Sequence, residues 1–148
     1  MRKTLYTLFI VSMMAAIVTS CSWFETDNAG DLEGLWHLRS VENLSDGTVT
    51  DYSQQRIYWA FQKNLLEMQD KSGNMTSLLW RFSHVGSKLT ISQPHRYDRE
   101  NGDEPLETTE QLLPYFIYNL EETFAVEHLG SGTMRLASEN VRLRFRKF

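Results

Sequence analysis

The sequence predicts an all-β domain, an antiparallel sandwich or barrel. Two observations carry that prediction. Apolar and polar residues alternate with a period of two in one short segment after another, and turn signals fall between those segments. A third observation bounds it: the 148 residues hold no internal repeat and no low-complexity tract, so one domain accounts for the chain.

The strands can be taken in order. In Leu32–Glu42, Trp36, Leu38 and Ser40 share one side, and Leu35, His37, Arg39 and Val41 the other. Asp46-Gly47 signals a turn. Between Arg56 and Gln62, Ile57, Trp59 and Phe61 share a face. Leu65–Asp70 follows Lys63-Asn64, and Gly73-Asn74 turns again. Met75–Val85 places Leu78, Trp80 and Phe82 together. After Gly86-Ser87, Leu89 and Ile91 alternate along Lys88–Gln93. The last strands are Thr123–Leu129, Thr133–Ser138 and Asn140–Phe148, with Gly130-Ser131-Gly132 between the first two.

Residues 93–119 break the pattern. A charged loop, with Asp98, Glu100, Asp103 and Glu104, leads into a compact apolar piece. Thr108 and Gln111 have the spacing of a capping box, which predicts a short helix that Pro114 would stop. A connection this long in a small β domain is usually functional or mobile.

The N-terminus carries a separate signal. Arg2 and Lys3 precede the apolar run Leu5–Val18, which is shorter than the roughly 20 residues of a membrane-spanning helix. A charged start, a short apolar centre and small residues at the end describe a secretory signal peptide, residues 1–20. Val18-Thr19-Ser20-Cys21 resembles the bacterial lipobox, which implies that Cys21, the only cysteine, becomes the lipid-bearing first residue of the mature chain. The modification needs a thiolate nucleophile. Each buried methylene contributes about 0.8 kcal/mol, so several acyl chains (palmitate and its like) on one residue anchor the protein almost permanently. Residues 21–32 then read as a polar, acidic tether, and residues 33–148 as the folded domain.

Charge narrows the partners. The whole chain carries −4, and removing residues 1–20 with Arg2 and Lys3 leaves −6. That balance argues against nucleic acid and against a basic patch on anionic lipid. The expected locale is the bacterial cell envelope, lipid-anchored at the outer membrane, since Ser22 after the cysteine resembles outer-membrane sorting.

Gly34-Leu35-Trp36-His37-Leu38, preceded by the lipobox cysteine and an acidic linker and matched by the tail Met134–Phe148, resembles the lipocalin-like domains of small bacterial lipoproteins. The resemblance spans residues 32–148 and implies an up-and-down barrel of about eight strands, without catalytic machinery. It also implies that Trp36 closes one barrel end under a basic side chain of the last strand. With Val141, Leu143 and Phe145 inward, Lys147 is the cation in phase for that role. The chain is shorter than typical lipocalins and has no long helix after its last strand, which implies a reduced barrel.

Trp59, Phe61, Trp80 and Phe82 are the candidate ligand walls, since pockets are mostly apolar with few polar groups. The plainer alternative is core packing, because eight-stranded barrels fill with their own side chains. Arg142, Arg144 and Arg146 form an outward row that reads as a solvated face rather than an anion site. His37, His84, His95 and His128 lack short ligand spacing, and the acidic loop lacks the calcium-loop pattern, so no metal is expected. No nucleophile elbow, metalloprotease motif or phosphate loop occurs, and Glu121 and Glu122 would face opposite sides of a strand. No enzyme and no cofactor are expected. The leading expectation is a membrane-anchored binder of a small, partly apolar ligand with residues 93–119 as lid or rim. The alternative is a non-catalytic interaction subunit or inhibitor in an envelope protein complex, with Tyr115 and Phe116 in the contact.

Overall fold

The structure, a computed structural model, describes residues 29–148. The predicted signal peptide, Cys21 and most of the predicted tether lie outside the described residues.

Alternation becomes sheet. The strands are β1 (Gly34–Asn43), β2 (Val49–Asp51), β3 (Ile57–Gln62), β4 (Leu65–Asp70), β5 (Leu78–Val85) and β6 (Lys88–Arg96), then β7 (Glu104–Pro105), β8 (Glu122–Leu129), β9 (Thr133–Ala137) and β10 (Val141–Lys147). Eight of them run antiparallel in the order β1-β3-β4-β5-β6-β8-β9-β10, and β10 pairs back onto β1. That last pairing closes the barrel and removes its open edges. It runs from Trp36 opposite Lys147 to Asn43 opposite Val141. The two short strands are additions: β2 pairs with the second half of β1, and β7 with the end of β6.

Period-two alternation decides which side chains fill the barrel. Trp36 and Leu38, Trp59 and Phe61, Leu66 and Met68, Trp80 and Phe82, and Leu143 and Phe145 all fall in one buried cluster. Their strand neighbours Arg81, Arg144 and Arg146 are partly or fully exposed. The rings interlock: Trp59 lies 5.0 Å from Phe145 and 5.8 Å from Phe124, and Phe61 meets Phe82 edge-on at 5.1 Å. Such contacts add to area burial by about 0.5–1.5 kcal/mol per pair.

Irregularities sit where the sequence permits them. Between Leu79 and Arg81 the β5–β6 register shifts, opposite Gln93-Pro94. Gln93 is at φ 53°, and Pro94, which has no N–H for a ladder, is accommodated at this bulge.

Ala29 and Leu32, at the end of the predicted tether, are fully buried around a 3-10 turn at Gly30–Leu32. One sequence expectation is corrected. The short helix expected from Thr108 is instead a 3-10 turn at Leu113–Tyr115 with no side-chain cap. Pro114 lies inside that turn rather than ending it, because the first turn of a helix needs no N–H from the residue there.

Candidate functional site

The antiparallel order sorts the connections between two barrel ends. At the lower end lie the start of β1, the tight turns 63–64, 86–87 and 130–132, and the end of β10. At the upper end lie the connections 44–56, 71–77, 97–121 and 138–140.

The lower end is closed by the start of β1, the 3-10 turn before it and the end of β10. Trp36 is fully buried, and its indole N–H donates to the Leu32 carbonyl at 2.7 Å. Lys147 Nζ stands 5.1 Å from the Trp36 ring centroid, a cation over an aromatic face. Gly34 sits at φ 123°, and a Cβ there would lie 2.8 Å from Lys147 Cε. Glycine therefore does two things at this position: it takes a backbone conformation L-residues avoid, and it leaves room for the lysine stem. Gly34, Trp36 and Lys147 are brought into one contact group.

The upper end is sealed differently. The connection from β7 to β8 tucks Leu112, Tyr115 and Ile117 into the core cluster, each at 1% exposure or less. Tyr115 donates its hydroxyl to the Thr76 carbonyl of the 71–77 connection at 3.1 Å. Burial, with the Asp70 carboxylate nearby, raises the Tyr115 phenol well above its ordinary value, so the proton stays on that bond. Phe116 leans edge-on against Tyr52 of the 44–56 connection, ring centroids 5.0 Å apart. The far end of the plug is tied to Glu122, the buried carboxylate of the barrel, which accepts from the Tyr118 amide at 3.3 Å and from Asn119 Nδ2 at 3.0 Å. The aromatics that sequence singled out lie beneath this plug or along the wall: Trp59, Phe61, Trp80 and Phe82 are at most 5% exposed. Trp80 Nε1 is buried without an acceptor among the described residues.

Between the plug and the β1–β2 hairpin a cleft of about 230 Å³ opens at the upper rim. Its aromatic walls are Tyr52, Phe116 and Tyr118, and its floor reaches the core residues Val41 and Val141. Sequence reasoning placed Phe116 in a contact surface but missed Tyr52, Tyr118 and the floor. Tyr52 belongs to no alternating strand segment, and nothing local pairs it with a residue 64 positions away.

On the outer wall Arg142 and Arg144 of the arginine row, with Arg135, form an ion-pair ladder. Arg142 reaches Glu42 at 2.9 Å and Glu127 at 2.7 Å, Arg144 reaches Glu42 and Arg135 reaches Glu127, both at 2.9 Å. Those guanidinium bonds hold both glutamates below the usual carboxylate range. Among the described residues no group of three or more His, Cys, Asp or Glu is placed to hold a metal ion, and no helix is long and apolar enough to cross a membrane.

A closed eight-stranded meander, with a Gly-x-Trp first strand locked under a cation of the last strand, defines an up-and-down β-barrel with one end closed by its first and last strands and the other by a connection. The chain belongs to the lipocalin-like domain family, whose model matches residues 16–148. Comparison with curated proteins finds no match. A crystal structure of a lipocalin-like protein from Bacteroides uniformis is similar at 27% identity and TM-score 0.62, over 80% of this chain and all of that one. An uncharacterized protein from Bacteroides eggerthii shares the fold at 22% identity and TM-score 0.57, over 78% of this chain and 98% of that one.

Proposed function

We propose that this protein is a lipid-anchored binding protein of the bacterial cell envelope, held at the outer membrane through Cys21, that takes up a small, partly apolar molecule at the upper end of its barrel without catalysing a reaction. One observation carries the binding reading: the upper end is stoppered by side chains from a single long connection, Leu112, Tyr115 and Ile117, rather than by the strands themselves. A stopper of that kind can leave without unpairing the barrel. The aromatic wall of Trp59, Phe61, Trp80 and Phe82 lies within, and the Trp80 N–H has no acceptor among the described residues, so a ligand oxygen would satisfy it.

Energetics shape the ligand. Withdrawing three buried side chains costs about 1.5–3 kcal/mol each, and the ligand must repay this by covering the same apolar surface. The occupant is therefore apolar over most of its length with a hydrogen-bond acceptor. Native mass spectrometry of the protein extracted from its own membranes is the test. A copurifying apolar molecule, retained by the native protein and lost from Trp80→Ala, supports the reading; release of protein with no adduct under conditions that preserve its fold opposes it. The anchor is tested separately by Cys21→Ser, which is expected to abolish fatty-acid labelling and membrane partitioning.

A second reading draws on a different feature. Leu44, Val49, Leu113, Tyr118 and Leu120 are all exposed and all belong to the upper-end connections or the strand among them. Apolar groups gathered on one end suit a protein interface in an envelope complex. Recovery of a stoichiometric envelope partner, lost on Leu113→Asp with Tyr118→Asp, would favour it.

A further inference from the structure

We propose that the upper-rim cleft between the β1–β2 hairpin and the plug is a site for a small organic ammonium ion, with Tyr52, Phe116 and Tyr118 as an aromatic enclosure and Asp46 as its counter-charge. The site is separate from the barrel interior, and the inference does not rest on the interior binding anything.

The geometry of the walls comes first. The Tyr52 and Phe116 rings meet at an interplanar angle of 74°, so they form two sides of a corner. Tyr118, two residues on from Phe116, also lines the cleft. An aromatic face carries negative quadrupole charge, and several faces around one space attract a methylated ammonium group, whose charge is spread over a poorly hydrated surface. Val41 and Val141 close the floor with apolar surface that suits methyl groups and offers no hydrogen bond.

The backbone of Phe116 is the second observation. It sits at φ 65° and ψ 31°, the left-handed region, which a bulky L-residue leaves at the first opportunity. The bond from its N–H to the Leu113 carbonyl at 2.9 Å closes the turn that holds it there. Strain of this kind persists where the surroundings fix it, and here it directs the ring at Tyr52 instead of continuing the plug.

Charge is the third. Asp46 is the carboxylate on the rim of the cleft, and no lysine or arginine lines it. The Asp46 Oδ1 accepts from the Thr48 amide at 2.8 Å, which fixes the hairpin turn and keeps the carboxylate ionised. An anion would be repelled by Asp46 here, and a neutral ligand would gain nothing from its charge. A volume of about 230 Å³ accommodates one ammonium headgroup.

Isothermal titration calorimetry of the full-length protein in a non-ionic detergent tests the assignment with four probes. Tetramethylammonium and choline are expected to bind saturably at one site. The uncharged isostere 3,3-dimethylbutan-1-ol, of the same shape, is expected to bind at least about tenfold more weakly. Phosphocholine separates the sources: binding as tight as choline marks a lipid headgroup, and binding about tenfold weaker marks a free amine, because Asp46 repels the phosphate. Asp46→Asn retains the oxygen that caps Thr48, so its melting temperature should stay unchanged while choline affinity falls about tenfold. Tyr52→Leu should lower affinity similarly. Absence of saturable choline binding, equal affinity for the isostere, or full affinity in folded Asp46→Asn each overturns the proposal. None of these outcomes bears on the copurified apolar ligand, so the two readings fail independently.

Discussion

The two ends of this barrel are closed by different means. At the lower end, closure is built into the strands. Trp36 and Lys147 are direct register partners in β1 and β10, the pair that completes the sheet. Their contact forms as the barrel forms. At the upper end, closure is supplied by the 97–121 connection, whose buried side chains meet the barrel mainly through apolar contact and a few polar bonds. The comparison teaches that the same degree of burial has different mechanical meaning. Trp36 and Tyr115 are both within 1% of full burial, yet only Trp36 is part of the ladder that defines the fold. Loss of a lower-end contact is felt by the whole sheet, whereas an upper-end contact can open by itself.

The largest effect should come from Trp36→Ala. It empties a fully buried indole site, removes the bond to Leu32 and leaves Lys147 over nothing. Denaturant unfolding should record a loss of about 3–5 kcal/mol. A protein that melts as before would remove Trp36 from the closure.

The plug variants come next and sharpen the contrast. Leu112→Ala and Tyr115→Ala each delete a buried side chain, for which about 2–5 kcal/mol is usual when the site cannot move away. Here the double variant should lose clearly less than the two single losses combined, because once the plug is undocked its residues contribute no more. Hydrogen exchange offers the same comparison without mutation: the Tyr115 and Phe116 amides should exchange faster than the β1–β10 ladder amides. Full additivity and equal protection would place both ends in one cooperative unit.

Gly34→Ala is intermediate. Its φ of 123° and the 2.8 Å approach to Lys147 Cε force strain, and the flexible lysine end absorbs part of it. A loss of about 1–3 kcal/mol is expected, with the Lys147–Trp36 contact displaced. The opposite glycine substitution at Phe116 should relieve strain while removing a wall of the rim cleft.

The smallest effect concerns the wall ladder, which belongs to neither end. Arg142 and its neighbours lower the carboxyl of Glu42 and of Glu127 in the folded state. A depressed folded value means the pairs stabilise the protein above the unfolded carboxyl range, near pH 4.5, and this contribution is lost as pH falls through the folded values. Melting temperature should therefore decline on acidification below about pH 4.5, and less steeply in Glu42→Gln, with added salt flattening the difference.

Much of the barrel was legible because alternation is a local property. Trp59 and Phe61, or Trp80 and Phe82, declare a shared face within three residues, and burial of that face follows. The turn glycines declare where strands reverse. The identity of Lys147 as the cation near Trp36 followed from its phase with Phe145 together with the family resemblance. The plug was less legible. Thr108, Gln111 and Pro114 carry helix signals, but tertiary burial of Leu112, Tyr115 and Ile117 set the backbone there, and it chose a single 3-10 turn. The rim cleft was not legible at all, since its walls come from two connections and from strand ends far apart in sequence.

Read by itself, the amino-acid order determined the strand faces, the turns and the Gly34–Trp36 signature. These depend on neighbours along the chain, where periodicity and side-chain chemistry act directly. Only the tertiary structure decided that Tyr115 stoppers the barrel, that Tyr52 meets Phe116, and that Glu42 and Glu127 pair with Arg142 and Arg144. Those contacts arise when sheet closure brings distant segments together, and residue spacing along a chain carries no measure of that distance.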